Sequence, residues 1–252
     1  MSTSSLHSLL LLSDSALPLG SFAFSSGLES YLAHHKPAHP GASQLKNFEH
    51  FLQLSVANLA STALPYVQSA YAEPACLDSL DNDFDASTSC TVARRASVTQ
   101  GRALIAVWER ALASAAPGTT SAAAAAATTA LTSFIRALKT AKAAAGSPPH
   151  PTAHLPPLFG VVARALGLSA HDTAYLFLLS HVKALLSAAV RASVMGPYQA
   201  QGVLASVALQ EMIGDCLERE QGRKVEDAAV TVPPMDLWAG RHEMLYSRIF
   251  NS

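Results

Sequence analysis

Ser169-Ala-His-Asp-Thr-Ala-Tyr-Leu-Phe-Leu-Leu-Ser-His-Val-Lys-Ala-Leu-Leu-Ser-Ala-Ala-Val-Arg-Ala192 decides the fold class. Leu176, Leu179, Val182, Leu186 and Val190 recur at steps of three and four, which gathers them into one stripe on a helix. Ser169 is an N-cap residue, and Asp172 at the third helical position completes an arrangement like a capping box. Most other positions are apolar too, so this helix is expected at the centre of the molecule.

The same period recurs on either side. Leu45, Phe48, Leu52, Val56 and Leu59 predict a helix over 43–60 with Ser43 as its cap, and Leu104, Val107, Trp108 and Leu112 predict one over 99–113. Gly196-Pro197 introduces a further helix over 198–218, proline being suited to a first turn. Val230-Thr231-Val232 is the only β-branched run, and Pro233-Pro234 stops it. The expectation is an all-α, helical-bundle-like single domain spanning 1–252, with roughly eight to ten helices at ordinary lengths. Loops or insertions are expected at 36–42, at the acidic stretch 78–88, and at 146–157, where five prolines forbid a continuous helix. The alanine run Ala122–Ala127 is read as a linker or an extended helix end.

Composition bounds the function. Hydrophobic residues make up 50% of the 252 and charged residues 14%, enough for a sizeable core and too little charge for a disordered chain. A surface poor in charge exposes apolar patches, which mark partners. A net charge of −1 and no basic stripe beyond the pair Arg94-Arg95 argue against nucleic acid. Cys76, Cys90 and Cys216 form no CxxC, which fits a reducing compartment better than a disulfide framework or a zinc site. Leu9–Leu12 is too short for a membrane span or a signal core, so a soluble cytoplasmic protein is expected.

Catalytic signatures are missing. No phosphate-binding loop, no GxSxG and no HExxH occurs, and no spacing selects a Ser–His–Asp triad. Of the ten histidines, His34, His35 and His39 cluster, as do His150 and His154, but no carboxylate or thiolate spacing completes a coordination shell. No catalytic residue and no resident metal ligand is therefore expected.

The two ends of the chain carry the most specific patterns. Asp236–Ser252 holds Leu237, Trp238, Met244, Leu245, Tyr246, Ile249 and Phe250, interleaved with Arg241, His242, Glu243 and Arg248. Aromatics with arginine are enriched at interfaces, so this tail reads as a docking segment; a last helix packed on its own domain stays open beside it. Near the start, Gly20 and Gly27 bracket Phe22 and Phe24 in a loop that lets both aromatics tuck into the core, with Glu29 placed to cap or pair. Arg191, at the end of an apolar helix face, is read as a charge with a partner rather than a snorkelling one.

Arg241-His242-Glu243-x-x-Tyr246-Ser247-Arg248-Ile249-Phe250 resembles the C-terminus of the urease accessory protein UreF family. Leu17-Pro18-Leu19-Gly20-Ser21-Phe22-Ala23-Phe24-Ser25-Ser26-Gly27-Leu28-Glu29 is similar to its N-terminal motif. Arg102, then His154-Leu155-Pro156-Pro157-Leu158-Phe159-Gly160, then Arg191, Gly196 and Gln201 resemble further family positions in the family's order. The resemblance implies a non-catalytic, dimerising all-α scaffold that bridges UreD (also called UreH) and the nickel-carrying GTPase UreG. Its expected role is to couple nucleotide state to nickel delivery into apo-urease. It implies no stably bound cofactor, with nickel passing through the assembled complex. It also implies a partner-binding role for the tail, through Trp238, Arg241, His242, Glu243, Tyr246, Ser247, Arg248 and Phe250, with ordering on complex formation. An α-helical adaptor no longer dedicated to urease is the alternative. Departures are Ser21 for a glycine, Phe24 for a tyrosine, Met244 for a threonine, Pro197-Tyr198 interrupting a normally Gly-Gln-Thr segment, and Ala200 for a glycine. The insertions suggest a eukaryotic member.

Overall fold

A computed structural model describes residues 3–34, 44–114, 121–143 and 151–251. The expected loop at 36–42, the cap Ser43, and His35, His39 and His150 lie outside the described residues. Among the described residues eleven α-helices run in order: α1 (Thr3–Ser13), α2 (Leu28–His34), α3 (Gln44–Ala72), α4 (Leu77–Ser87), α5 (Thr91–Val107), α6 (Ala122–Ala143), α7 (Leu155–Ala165), α8 (Ala170–Arg191), α9 (Pro197–Leu204), α10 (Val207–Arg219) and α11 (Pro234–Arg241). No strand occurs among the described residues, and the fold is all-α as the periodicity predicts.

The centre is α7 rather than α8. Of the eleven residues of α7, Pro156 to Ala163 and Ala165 are all buried, and α3, α5, α6 and α8 pack around it. Gly160 permits the closest approach. A Cβ there would lie 2.2 Å from the Val67 carbonyl oxygen and 3.0 Å from the Tyr71 nitrogen of α3. α8 is apolar and long enough to cross a bilayer. Its stripe instead packs on α3, while His171, Ser187 and Arg191 face outward, so its apolar length is only partly enclosed. Ser169 caps it as expected: Ser169 Oγ accepts from the Asp172 nitrogen (3.0 Å) and donates to Asp172 Oδ2 (2.7 Å).

Four expectations need correction. The acidic stretch 78–88 is not a loop but α4, since Leu77, Leu80, Asp81 and Phe84 share one buried face at helical spacing. The loop 146–157 stops short, because α7 starts at Leu155 and takes Pro156 and Pro157 into its first turn, where missing N–H groups cost nothing. Of the two readings of the alanine run, the extended helix end holds: it opens α6, where Ala124 and Ala127 begin the buried line continued by Leu131, Phe134, Ile135 and Leu138. The helix expected over 198–218 is two, because Ser206 starts α10 by accepting from the Leu209 nitrogen (3.2 Å). α3 in turn runs past its expected end to Ala72, straight through Pro65.

Candidate functional site

The two terminal motifs meet. Gly20 has φ 72° and turns the chain into a short 3-10 segment, Ser21–Ala23. Ser21 donates from Oγ to Gln100 Oε1 (2.8 Å), so the serine standing for a family glycine ties this loop to α5. Phe24 is buried, but Phe22 is 61% exposed, which corrects the expectation that both aromatics tuck inward. Gly27 has φ 87°, and a Cβ there would press on Ala239 N at 3.1 Å and on Trp238. That glycine lets α11 lie directly on the entry to α2. Trp238 then stacks edge-on against Tyr31 (centroids 4.7 Å apart) and tilted against Phe51 (5.8 Å).

Beyond α11, a 3-10 turn (His242–Met244) leads into an extended end. His242 is fully buried, and its Nε2 lies 2.8 Å from Glu29 Oε2; the carboxylate can only accept, so Nε2 carries the hydrogen. The Ile249 nitrogen donates to Glu29 Oε1 (2.7 Å) and the Phe250 nitrogen to Oε2 (3.2 Å). The Asn251 nitrogen donates to the Ala23 carbonyl (2.8 Å). Arg95 of α5 pairs with Glu243 (2.6 Å) and reaches the Asn251 carbonyl. The Arg191 guanidinium sits 4.3 Å over the buried Phe250 ring and 5.9 Å from that of Phe22, and donates to the Phe22 carbonyl. Partial burial against these rings lowers the pKa of Arg191. Its partners are thus ring faces and the carbonyls of Phe22 and Ser187.

This geometry divides the eight tail residues. Trp238, His242 and Phe250 turn inward and hold the tail to its own domain in the isolated chain. Arg241, Glu243, Tyr246, Ser247 and Arg248 are exposed, and Tyr246 is fully so. Met244, at 78% exposure, and Ile249, at 63%, extend the outward face.

The internal family positions form a second cluster behind α5. Asp81, fully buried, accepts from the nitrogens of Thr152 (2.7 Å), Ala153 (3.1 Å) and His154 (2.6 Å) and from Thr152 Oγ1 (3.0 Å). These bonds hold Ala153 at φ 74°. Arg102 donates to the Thr152 carbonyl (3.3 Å), and the buried His154 ring contacts Ser97 Oγ (3.0 Å) and Asp85 Oδ1 (2.8 Å). Burial alone would raise the Asp85 pKa, but the Arg94 and His154 hydrogen bonds outweigh it and hold the carboxyl below its ordinary value. His154, Pro156 and Gly160 therefore build the core. Pro18, Gly196 and Gln201 are exposed, and Gly196 donates to Gln199 Oε1 (2.9 Å) at the start of α9. Ser25 is buried and receives the Glu29 nitrogen (3.4 Å).

Beneath α11 lies a cavity of about 300 Å³ whose walls include Ser55, Gln100, His181, Met235 and Asp236. Burial raises the Asp236 pKa. Sequence reasoning missed Asp81, Arg95 and His181. The helical spacing of Leu77, Leu80 and Phe84 was the signal that could have found the first; nothing local marks the other two. Among the described residues, no three His, Cys, Asp or Glu side chains gather as a metal-binding group.

These features define an all-α domain whose N-terminal motif and C-terminal tail are clamped together, with Met244 and Tyr246 facing outward. The UreF family model matches residues 43–208, and the chain belongs to the UreF family. It is 37% identical over 246 residues to a Schizosaccharomyces pombe protein described as an uncharacterized urease accessory protein UreF-like, covering 98% of this chain and 97% of that one. It is 29% identical over 241 residues to urease accessory protein F of Arabidopsis thaliana, covering 95% of this chain and 89% of that protein. Urease accessory protein 6 of Cryptococcus neoformans is 27% identical over 325 residues, covering 100% and 98%. The Cryptococcus alignment spans the whole chain and so takes in both clamped segments, which the family match leaves out.

Proposed function

We propose that this chain is a non-catalytic scaffold of urease maturation. In this reading it binds UreD and the GTPase UreG and modulates GTP-dependent nickel delivery to apo-urease. It acts as a homodimer in the cytoplasm, binds no cofactor stably, and lets nickel pass through the assembled complex. Membership of the UreF family, with relatives named as urease accessory proteins, supports the maturation role. The observation that carries the docking part is Tyr246. A fully solvated aromatic on a segment pinned at both ends gains nothing in the isolated chain, and tyrosine is a preferred anchor at interfaces.

Co-expression with the cognate UreD and UreG, followed by size exclusion, tests the reading. The full-length chain is expected to form a three-protein complex. The double variant Tyr246→Ala/Arg248→Ala should weaken it at least ~10-fold, on the scale of lost interface anchors. An equally strong complex with that variant would move the interface to the helices. No complex with any form would leave the adaptor reading in its place.

A further inference from the structure

Glu29 ties both ends of one loop. His242, where the tail leaves its last helical turn, and the backbone amides of Ile249 and Phe250, where it ends, all donate to the same carboxylate. The loop between them, Glu243 to Arg248, has its ends side by side, as in a compact surface loop. It cannot hold that shape by burial, since Met244 and Tyr246 are solvated and the only buried apolar plug is Phe250 under Arg191. Nor do the amides of Ile249 and Phe250 belong to a helix. An ionised carboxylate is acceptor-only, so it alone satisfies three donors; an amide in its place would set an NH₂ against one of them.

We propose that Glu29 is a positioning residue for partner docking. By clamping His242, Ile249 and Phe250 it fixes the curve of the loop that carries Tyr246 and Arg248 outward, and it affects partner binding only through that loop. The proposal rests on the reading of the tail as the docking face. The clamp matters because the tail must be ordered for binding, and each bond that favours the docking curve lowers that cost without adding a contact to the partner.

The test uses the full chain with Glu29→Ala and Glu29→Gln, each alone and combined with Tyr246→Ala/Arg248→Ala. Amide hydrogen exchange is followed at Ile249 and Phe250, and binding to the cognate UreD is titrated. Either Glu29 variant is expected to speed exchange at these two amides at least ~10-fold, with the amides of α3 and α7 unchanged, and to weaken UreD binding at least ~10-fold. In the Tyr246→Ala/Arg248→Ala background the same change should weaken binding little further, because the anchors it positions are already gone. Unaltered exchange would overturn the clamp. A full further loss in the combined variant would overturn action through the loop. Faster exchange with unaltered UreD binding, while Tyr246→Ala/Arg248→Ala still weakens it, would overturn the positioning role alone and leave a clamp that only stabilises; binding unaltered by Tyr246→Ala/Arg248→Ala as well would overturn the docking reading. If Glu29→Ala fails to fold, the near-isosteric Glu29→Gln carries the same comparisons.

Discussion

His181 projects from α8 with its Nε2 2.8 Å from Ser55 Oγ of α3. Burial pushes its pKa down to about 4. Part of the ring opens into the cavity beneath α11, but about 300 Å³ is too small to hydrate an imidazolium as bulk water would, so the depth of the site governs. The unfolded chain takes up this proton near pH 6.5 and the folded chain only near pH 4. Stability should therefore fall as pH drops through that window, by up to ~1.4 kcal/mol per unit from this residue. Denaturant midpoints at pH 7 and pH 5 should differ less in His181→Gln than in the native chain; equal differences would show the ring to be hydrated. Asp85 acts below this range. Its carboxyl is held under its ordinary pKa, so its contribution is present above about pH 4 and is lost as pH falls further. Residue identity was readable for His154 as a motif member, but its role was not. That role depends on Asp85 and Ser97, which lie 69 and 57 positions earlier in the chain.

Among the elements, α3 shows how one residue recruits another segment. Pro65 has no N–H, so the Ser61 carbonyl loses its helical donor. The Ala229 nitrogen supplies a replacement at 3.3 Å, while Thr231 Oγ1 meets Ser61 Oγ (2.8 Å) and the Val232 nitrogen donates to Asn58 Oδ1 (3.1 Å). The segment Ala229–Val232 is thus held on a helix that a proline has opened, through the Ala229 and Val232 amides and the Thr231 hydroxyl. Pro65→Ala should restore the internal bond and release this segment. Amide exchange at Ala229 is then expected to accelerate, and an unchanged rate would mean that side-chain contacts alone hold the segment. Helix α4 was hidden for a different reason. Its aspartates and asparagine suggest turns locally, but Asp81 faces inward because three backbone amides from the 152–154 segment meet it there.

At the scale of the molecule, α5 is the wall shared by both clusters. Gln100 and Arg95 hold the N-terminal loop and the tail, Ser97 and Arg102 hold the turn before α7, and Arg94 holds Asp85 of α4, which in turn meets His154. α11 closes the cavity against this wall and covers Tyr31 and Phe51 with Trp238. Removing residues 236–252 should therefore cost more than a docking face. Uncovering a packed tryptophan site is expected to lower stability by ~3 kcal/mol or more, readable as a drop in melting temperature. The double change at Tyr246 and Arg248 should leave that temperature nearly unaltered, because neither side chain is buried. A similar drop in both would place the outward face in the core.

Periodicity by itself determined the all-α class, the capped start of α8 and the stripes of α3 and α5, because these follow from contacts three and four residues apart. The motifs at the two ends were legible as patterns and pointed to the family. Only the tertiary structure decided that α7 is the centre, that Phe22 faces out while His242 faces in, and that Glu29 holds residues 242, 249 and 250 together. Those outcomes depend on partners more than 200 positions apart in the chain, or on the exact distance between two helix axes at Gly160. Neither quantity is encoded in local spacing.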